Sequence, residues 1–518
     1  LPLIILIGLI TSLTQIFLRL TIRDFVNYSL SLPKKKKLKV AIYGAGENGA
    51  LLAKSLKGLN RYKIQCFFDD DKKLWGRLIS GISIKSPEYL NEIKEDLDQV
   101  LLAIPTISLG KRKKIIDSLQ RFRVPLLTIP SVEQLVSGKA KIETLRPISI
   151  NELLGRDVVT ADHNLLQKGV DNKVILITGA GGSIGSELCK QIYNLNPKKL
   201  ILFEFNESSL YSINSYLQNL KRKFLIIPIL GNACNYKLLE KILLEHSVEV
   251  VFHAAAYKHV PLVEINPIQG LRNNIISTLN ICKASESTNV KNVVFISSDK
   301  AVRPTNIMGT SKRLSELIIQ AYSQRQKELA KDYSNLSLVF SMVRFGNVLD
   351  SSGSVVPLFR EQIAKGGPIT LTHENVIRYF MTIPEASQLV LQSLPLAQGG
   401  DLFLLDMGEP VSIKKLAEQM VSLSGKSIKN LNNPDGDIEI VVTGLRPGEK
   451  LYEELLIDAE SLPTSHPLIF KANEKSIDYK TLFMEIERLV ENLNSQNKIE
   501  SISIIKKIVP EWEPAIHY

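Results

Sequence analysis

Two glycine-rich turns, each lying between a hydrophobic run and a helix-forming segment, constrain this 518-residue chain more than any other feature. The first follows Leu38-Lys-Val-Ala-Ile-Tyr43 and reads Gly44-Ala-Gly46-Glu-Asn-Gly49. The second follows Lys173-Val-Ile-Leu-Ile-Thr178 and reads Gly179-Ala-Gly-Gly182-Ser183-Ile184-Gly185. A strand that turns through glycine into a helix lets backbone amides and a helix N-terminus come close to a phosphate. Behind each turn, short apolar runs alternate with helical patterns, which predicts parallel strands joined by helices.

A chain of this length is too long for one core. The expected fold class is α/β, with two tandem Rossmann-type doubly wound parallel sheets. The second carries a small C-terminal substrate-binding subdomain, and a transmembrane helix precedes both. The boundaries read as 1–30 for the membrane helix and its basic flank, 36–135 for the first nucleotide-binding domain and 136–171 for a connecting segment. The catalytic domain is placed at 172–460, with its substrate-binding part after about residue 345, and a helical tail at 461–518.

In the first domain, Phe67-Phe68-Asp69-Asp70 ends a second strand about 20 residues after the turn, the spacing of a ribose-binding carboxylate. Gly44, Gly46, Gly49 and Asp70 are therefore a candidate second nucleotide site, although no acid/base constellation accompanies them. In the second domain, Gly179, Gly182, Ser183, Ile184 and Gly185 form the phosphate-binding turn. The strand Leu200–Phe203 ends at Glu204, whose carboxylate can accept from a ribose 2′-hydroxyl and so favours NAD, with NADP the alternative. Asn232 would flank the adenine, and Ala254 and Ala255 would line the cofactor.

Leu1 to Leu18 carries no charge, close to the roughly 20 residues that cross a bilayer. The net charge of +11 is concentrated behind it: residues 1–60 hold nine Lys and Arg against only Asp24 and Glu47. That pattern predicts the last of several membrane spans, upstream residues being missing, with the rest of the chain cytoplasmic. No basic stripe interleaved with aromatics suggests nucleic acid. Four scattered cysteines without a CxxC suggest neither a disulfide framework nor a metal site.

The chemistry concentrates between Ser297 and Lys312. The run Val293–Ile296 reads as a buried strand, and ligands gather at the carboxyl ends of such strands. Ser298, Asp299 and Lys300 follow at once, and Met308 stands four residues before Lys312, one helical turn away. An acid and a base thus meet near one point. Methionine can neither donate nor accept the proton of a simple alcohol oxidation. Arginines on later loops, Arg360, Arg378 and Arg446, suit diphosphate clamping because the guanidinium fork pairs with phosphate oxygens. Arg446, between glycine and proline turn signals, is the strongest of these.

Six stretches in order, TGAGGSIGSEL, HAAAYKHVPLVE, ISSDKAVRPTNIMGTSKR, VRFGNVLDSSGSVVPLF, IRYFMTIPEA and GLRPGEKLYEELL, resemble the CapD-like nucleotide-sugar dehydratases of bacterial polysaccharide biosynthesis, within the extended short-chain dehydrogenases. The likeness runs from the membrane helix to near residue 460 and is closest to the long, membrane-anchored form. It implies 4,6-dehydration of UDP-N-acetylglucosamine by a lyase bound to the bacterial inner membrane, with cytoplasmic catalytic domains and a homo-oligomeric assembly. It also implies roles: Lys300 as base at C5, Asp299 as acid at C6, Lys312 on the nicotinamide ribose and Ser298 on the C4 oxygen. Met308 occupies the place of the tyrosine in the wider Tyr-x-x-x-Lys pattern, as in the long form. Lys258, Asn347, Arg378, Arg446 and Glu449 are the implied substrate contacts. Two departures stand out: Asn232 replaces the usual aspartate, and Glu204 favours NAD although NADP is used by some members. The rival readings are a nucleotide-sugar epimerase and an idle membrane-bound nucleotide sensor.

Overall fold

The computed structural model describes residues 2–29, 37–58, 61–104, 107–122, 124–129, 146–147, 161–220, 224–332, 338–431, 433–456, 461–474 and 476–514. Most of the expected connecting segment 136–171 lies outside these residues. The chain forms two compact units, Leu1–Leu153 with Ser422–Ser427, and Leu154–Val421 with Ile428–Tyr518.

The first unit holds a seven-stranded sheet in the order Leu78–Ile79, Ile82–Lys85, Tyr62–Phe68, Leu38–Tyr43, Gln99–Leu102, Leu126–Thr128 and Arg146–Pro147. The five inner strands are parallel, as expected, and each outermost strand runs antiparallel to its neighbour. Val40, Ile42, Leu52, Phe67 and Leu101 fill its core. Pro2–Ser29 is one continuous helix. No helix among the described residues is long and apolar enough to cross a membrane. Thr11, Ser12, Thr14 and Gln15 dilute the uncharged run, and Arg19, Arg23 and Asp24 fall inside the same helix.

The second unit is built on a nine-stranded sheet. Its order is Leu225–Leu230, Lys199–Glu204, Val174–Thr178, Val250–His253, Asn292–Ile296, Val339–Arg344, Asp401–Leu405, Ile469–Ala472 and Ser461–Pro463. The first seven strands are parallel and the last two antiparallel. Successive residues of its strands point to opposite faces. Leu176, Val251, Val293 and Phe295 pack on one face, and Ile175, Ile177, Phe252 and Val294 on the other. Both faces are covered, which is why these strands read as unbroken apolar runs. The strand order reverses between Val174–Thr178 and Val250–His253, and open sheets of this kind bind ligands at that switch point.

Three small sheets of two or three strands, with helix Val355–Ala364, make up the expected substrate-binding part. The expectation of a helical tail over 461–518 needs correction. Ser461–Pro463 and Ile469–Ala472 are strands that extend the large sheet. Helices Tyr479–Asn494 and Lys498–Ile508 then bury Leu482, Ile486, Leu489 and Ile505 in the same core as the helix Ile307–Asp332. Lys480, Lys498, Lys506 and Lys507 of this segment are exposed, while its apolar residues recur at helical spacing.

Candidate active site

The second glycine turn is shaped by contacts that admit no side chain. A Cβ on Gly179, where φ is +68°, would lie 2.8 Å from the Ala255 amide nitrogen, and one on Gly185 would lie 2.0 Å from the Gly179 carbonyl. The turn is thereby pressed against both the Ala254–Ala256 loop and its own helix, Ser183–Asn194. That helix begins at Gly182 with no side-chain cap. Its first-turn amides are left for an anion, and Gly182 to Gly185 line a cavity of about 1060 Å³. Glu204 Oε2 accepts from the Gly181 amide at 2.9 Å, and its Oε1 accepts from Phe205 and Asn206. A carboxylate so placed beside the turn keeps lone pairs for a ribose hydroxyl. These residues fit a dinucleotide. Ala254 lines the cavity, whereas Gly179, Glu204, Asn232 and Ala255 are not part of its lining. Asn232 turns its carbonyl oxygen to the Cys234 amide, 2.8 Å away.

His253, at the end of its strand, is fully buried between Thr178 Oγ1 and Thr278 Oγ1, at 2.7 and 3.2 Å. Burial, and next Lys312, push its imidazole down to about 3, so it is neutral and holds the strand end.

Asp299 and Lys300, the expected acid and base, come together after Ile296. Ser298 caps a short 3-10 turn, Asp299–Ala301. Ser298 Oγ donates to Asp299 Oδ1 at 2.8 Å, and the Lys300 ammonium donates to the same oxygen at 3.0 Å and to Asn347 Oδ1 at 3.1 Å. Asp299 is buried behind Lys300, which itself lines the cavity. Gly346 also lines the cavity, and a Cβ there would lie 3.2 Å from Asp299 Oδ2, so the missing side chain leaves that oxygen room. A base must be at least partly neutral, and burial would favour that form of Lys300. Burial alone would lower this ammonium, but Asp299 and then Glu453 outweigh it and hold it above its ordinary value. Lys312 is not among the charges that act on it most strongly.

Helix Ile307–Asp332 supplies Met308 and Lys312 on one face, both on the cavity wall. Met308 is buried. Lys312 Nζ donates to the Ile296 carbonyl at 2.8 Å and lies 4.6 Å over the Phe295 ring. Burial pulls its ammonium down to about 8 against the attraction of Glu316.

On the substrate side, Lys258 lines the cavity with no ion-pair partner among the described residues, and burial lowers its ammonium. The exposed Arg446 side chain also reaches the cavity, while its amide donates to Glu449 Oε2 at 3.2 Å. Arg378 differs. Its guanidinium donates to the carbonyls of Ile377, Lys450 and Leu451 at 2.7–3.0 Å, so it staples the 446–456 segment beside the cavity. Arg360 pairs with Asp350 at 3.0 Å on the surface. No cluster of His, Cys, Asp and Glu among the described residues could hold a metal ion.

Residues 175–474 match the family described as polysaccharide biosynthesis protein. The chain is 38% identical to the capsular polysaccharide biosynthesis protein CapD of Staphylococcus aureus, over 93% of this chain and 79% of that one. The chain belongs to the polysaccharide biosynthesis protein family. Another relative, the UDP-glucose 4-epimerase of Rickettsia rickettsii, is 30% identical over 63% of this chain and 92% of its own. Among solved structures, Pen from Bacillus thuringiensis superposes with a TM-score of 0.52 at 30% identity, covering 61% of this chain and 98% of that one.

Several residues that shape the site in this member of the family escaped sequence reasoning. Asn274 exchanges hydrogen bonds with the backbone of Tyr257 and donates to Ser311 Oγ at 2.8 Å, tying the Ala254–Lys258 loop to the Lys312 helix. Gly448, at φ +74°, packs so closely that a Cβ would lie 2.6 Å from Asn306 Cβ. Glu453 lies 3.6 Å from Lys300 Nζ. None had a local signal beyond its place in a motif, because each acts across a large sequence separation. In the first unit, a Cβ on Gly49 would meet the Gly44 carbonyl at 1.9 Å, whereas one on Gly46 would meet nothing within 4 Å. Asp69 Oδ2 accepts from the Ala45 amide at 2.8 Å, and Asp70 accepts from the Tyr43 hydroxyl at 2.7 Å. The carboxylate against that turn is therefore Asp69, one residue before the expected Asp70.

Proposed function

We propose that the chain is a lyase that removes water across C5 and C6 of a UDP-N-acetylhexosamine, UDP-N-acetylglucosamine foremost, yielding a UDP-4-keto-6-deoxy sugar for surface polysaccharide. The observation that carries this reading is the Asp299–Lys300 pair, 3.0 Å apart at the cavity wall, beside Met308 where a proton-transferring tyrosine would otherwise stand. A nicotinamide dinucleotide, NAD before NADP because of Glu204, would sit against Gly182–Gly185 and supply hydride acceptance at C4 and hydride return at C6. Lys312 would hold its ribose.

The chain's own residues handle protons. Ser298 Oγ and the Lys312 ammonium act at the C4 oxygen, where a nearby cation favours loss of the hydroxyl proton. Once C4 is a ketone, the C5 proton is acidic, and Lys300 removes it as a neutral amine. Asp299, as the acid, protonates the C6 hydroxyl, which leaves as water. The reactive pair is a tautomer of the ion pair in the structure. Moving one proton across 3.0 Å from Lys300 to Asp299 produces amine and acid with no exchange with solvent. A sugar that displaces water from the cavity favours this neutral form, because desolvation disfavours charge. Elimination leaves Lys300 protonated and Asp299 ionised. The ammonium then returns a proton to C5, and the proton freed at the C4 hydroxyl replaces the one that Asp299 gave up.

Lys258 and Arg446 are assigned to the diphosphate, and Asn347 and Glu449 to the substrate side of the cavity. The reading also includes attachment to the cytoplasmic face of the bacterial cell membrane through the basic residues 19–57, and a homo-oligomer. The test is proton NMR of UDP-N-acetylglucosamine with the chain and NAD in D₂O. A C6 methyl signal with deuterium at C5 is expected. A C4 epimer with its C6 hydroxymethyl intact would replace the reading by the second one, a nucleotide-sugar epimerase, which the Rickettsia relative favours.

A further inference from the structure

Glu453 is the least satisfied charged group near the acid/base pair. Its side chain is 4% exposed, and its Oε2 is buried with no hydrogen-bond partner. Its Oε1 lies 3.6 Å from Lys300 Nζ and 3.9 Å from Arg378 Nε, too long for a firm hydrogen bond to either. Burial pushes its carboxyl above the ordinary value and Asp299 adds to this, while Lys300, Arg378 and Lys450 oppose it. Arg378 spends its terminal N–H groups on backbone carbonyls, and Lys450 donates to the Val302 carbonyl. Lys300 is the cation nearest to it.

A buried carboxylate with one oxygen unpaired is costly. As a staple for the 446–456 segment it would be a poor choice, since the staple is already supplied by Arg378, by Thr305 and Asn306 on the Gly448 carbonyl, and by Lys450 on Val302. What Glu453 adds is a carboxyl beside one amine, 3.6 Å from Lys300 Nζ, ionised to the extent that this ammonium offsets its burial.

We propose that Glu453 is a positioning residue that holds the Lys300 ammonium at the cavity wall and sets how readily that amine gives up its proton. This rests on the reading of Lys300 as the base. Glu453 works against release of the proton in the empty cavity, so the amine is freed only when a bound sugar dries the pair. The direction of the effect on Lys300, raised by Asp299 and by Glu453 against burial, agrees with the geometry.

The test needs no sugar, so it is read separately from the dehydration reading. The full chain is trace-acetylated with acetic anhydride near neutral pH, and the rate at Lys300, normalised to an exposed lysine, is read by peptide mass spectrometry. Only neutral amine reacts. Glu453→Gln should label about tenfold faster, the factor that one pH unit of lost proton affinity gives. Glu453→Asp keeps the charge in a smaller side chain and should label near the wild-type rate. If both variants label equally fast, the effect is access and the proposal falls; if both label at the wild-type rate, it falls as well. Should Glu453→Gln not fold, Glu453→Leu, neutral and suited to a buried site, takes its place with the same expected outcome. Where the wild type turns over, Glu453→Gln should change kcat with little change in KM.

Discussion

Gly309 and Lys300 touch through backbone alone: a Cβ on Gly309 would lie 2.2 Å from the Lys300 carbonyl oxygen. The helix that carries Met308 and Lys312 is thereby packed directly onto the loop that carries the acid and the base. Helix propensity favours alanine over glycine by about 1 kcal/mol, but overpacking against rigid backbone costs about 1–3 kcal/mol. Gly309→Ala should therefore lower the melting temperature and cut kcat. A rise in melting temperature by calorimetry would show that the contact yields.

The acid and the base should separate kinetically. Lys300→Ala should abolish deuterium uptake at C5, with a loss of at least about 10²-fold. Asp299→Asn should lose the C6 methyl signal by a similar factor while C5 exchange continues, because it removes the acid and leaves the amine. Loss of both signals in both variants would argue against the division of roles.

Lys312 gives the alkaline limit. Its ammonium lies at about 8, below the ordinary 10.5, through burial. The charged form is the one that assists at C4, so kcat should fall as pH rises through about 8. Stability runs the other way. A lowered value means that protonation favours unfolding, so the penalty is full below about 8 and lifts toward 10.5. Lys312→Arg should carry the alkaline limb of the rate profile upward.

Glu204 places a negative charge beside the turn that would take the ribose. Glu204→Ala should raise KM for NAD and lower it for NADP, whose 2′-phosphate the carboxylate repels. Unchanged selectivity, measured from initial rates with each cofactor, would remove Glu204 from the cofactor site.

Basic residues 19–57 should draw the chain to anionic lipid. Flotation with phosphatidylserine vesicles should capture the protein, and replacing Lys34 to Lys37 with glutamine should weaken capture by about 1 kcal/mol per charge at low salt. Equal capture by neutral vesicles would place the attraction in the apolar run instead.

The parts of this molecule legible in the sequence are the local ones. Strand, glycine turn and helix follow one another within about 20 residues in both units, and such signals need no tertiary partner. Ser298, Asp299, Lys300, Met308 and Lys312 lie within one short stretch, so their meeting could be read directly. What could not be read is what distant chain brings. Glu453 stands 153 residues after Lys300 and joins Asp299 in holding that ammonium above its ordinary value against burial. Arg378 lines the cavity, but the three backbone carbonyls it also holds could not be read from a loop arginine alone. The segment 461–518 looked like a polar tail because lysines and glutamates recur along it, whereas its apolar residues complete the core.

That last segment sets an order of events during synthesis. Arg344 is wholly buried and holds Glu316 at 2.7 Å and Glu474 at 2.6 Å, and Arg313 holds Glu474 at 2.9 Å and Glu511 at 3.0 Å. Glu316 also receives the hydroxyl of Ser297, the residue that leads into the catalytic loop. Until residue 474 has left the ribosome, both arginines lack one of their carboxylates, and Arg313 waits for Glu511 as well. The nascent chain can finish the strands around its glycine turn early, but the ion pairs behind the Ser297–Lys300 loop must wait for residues 474 to 511.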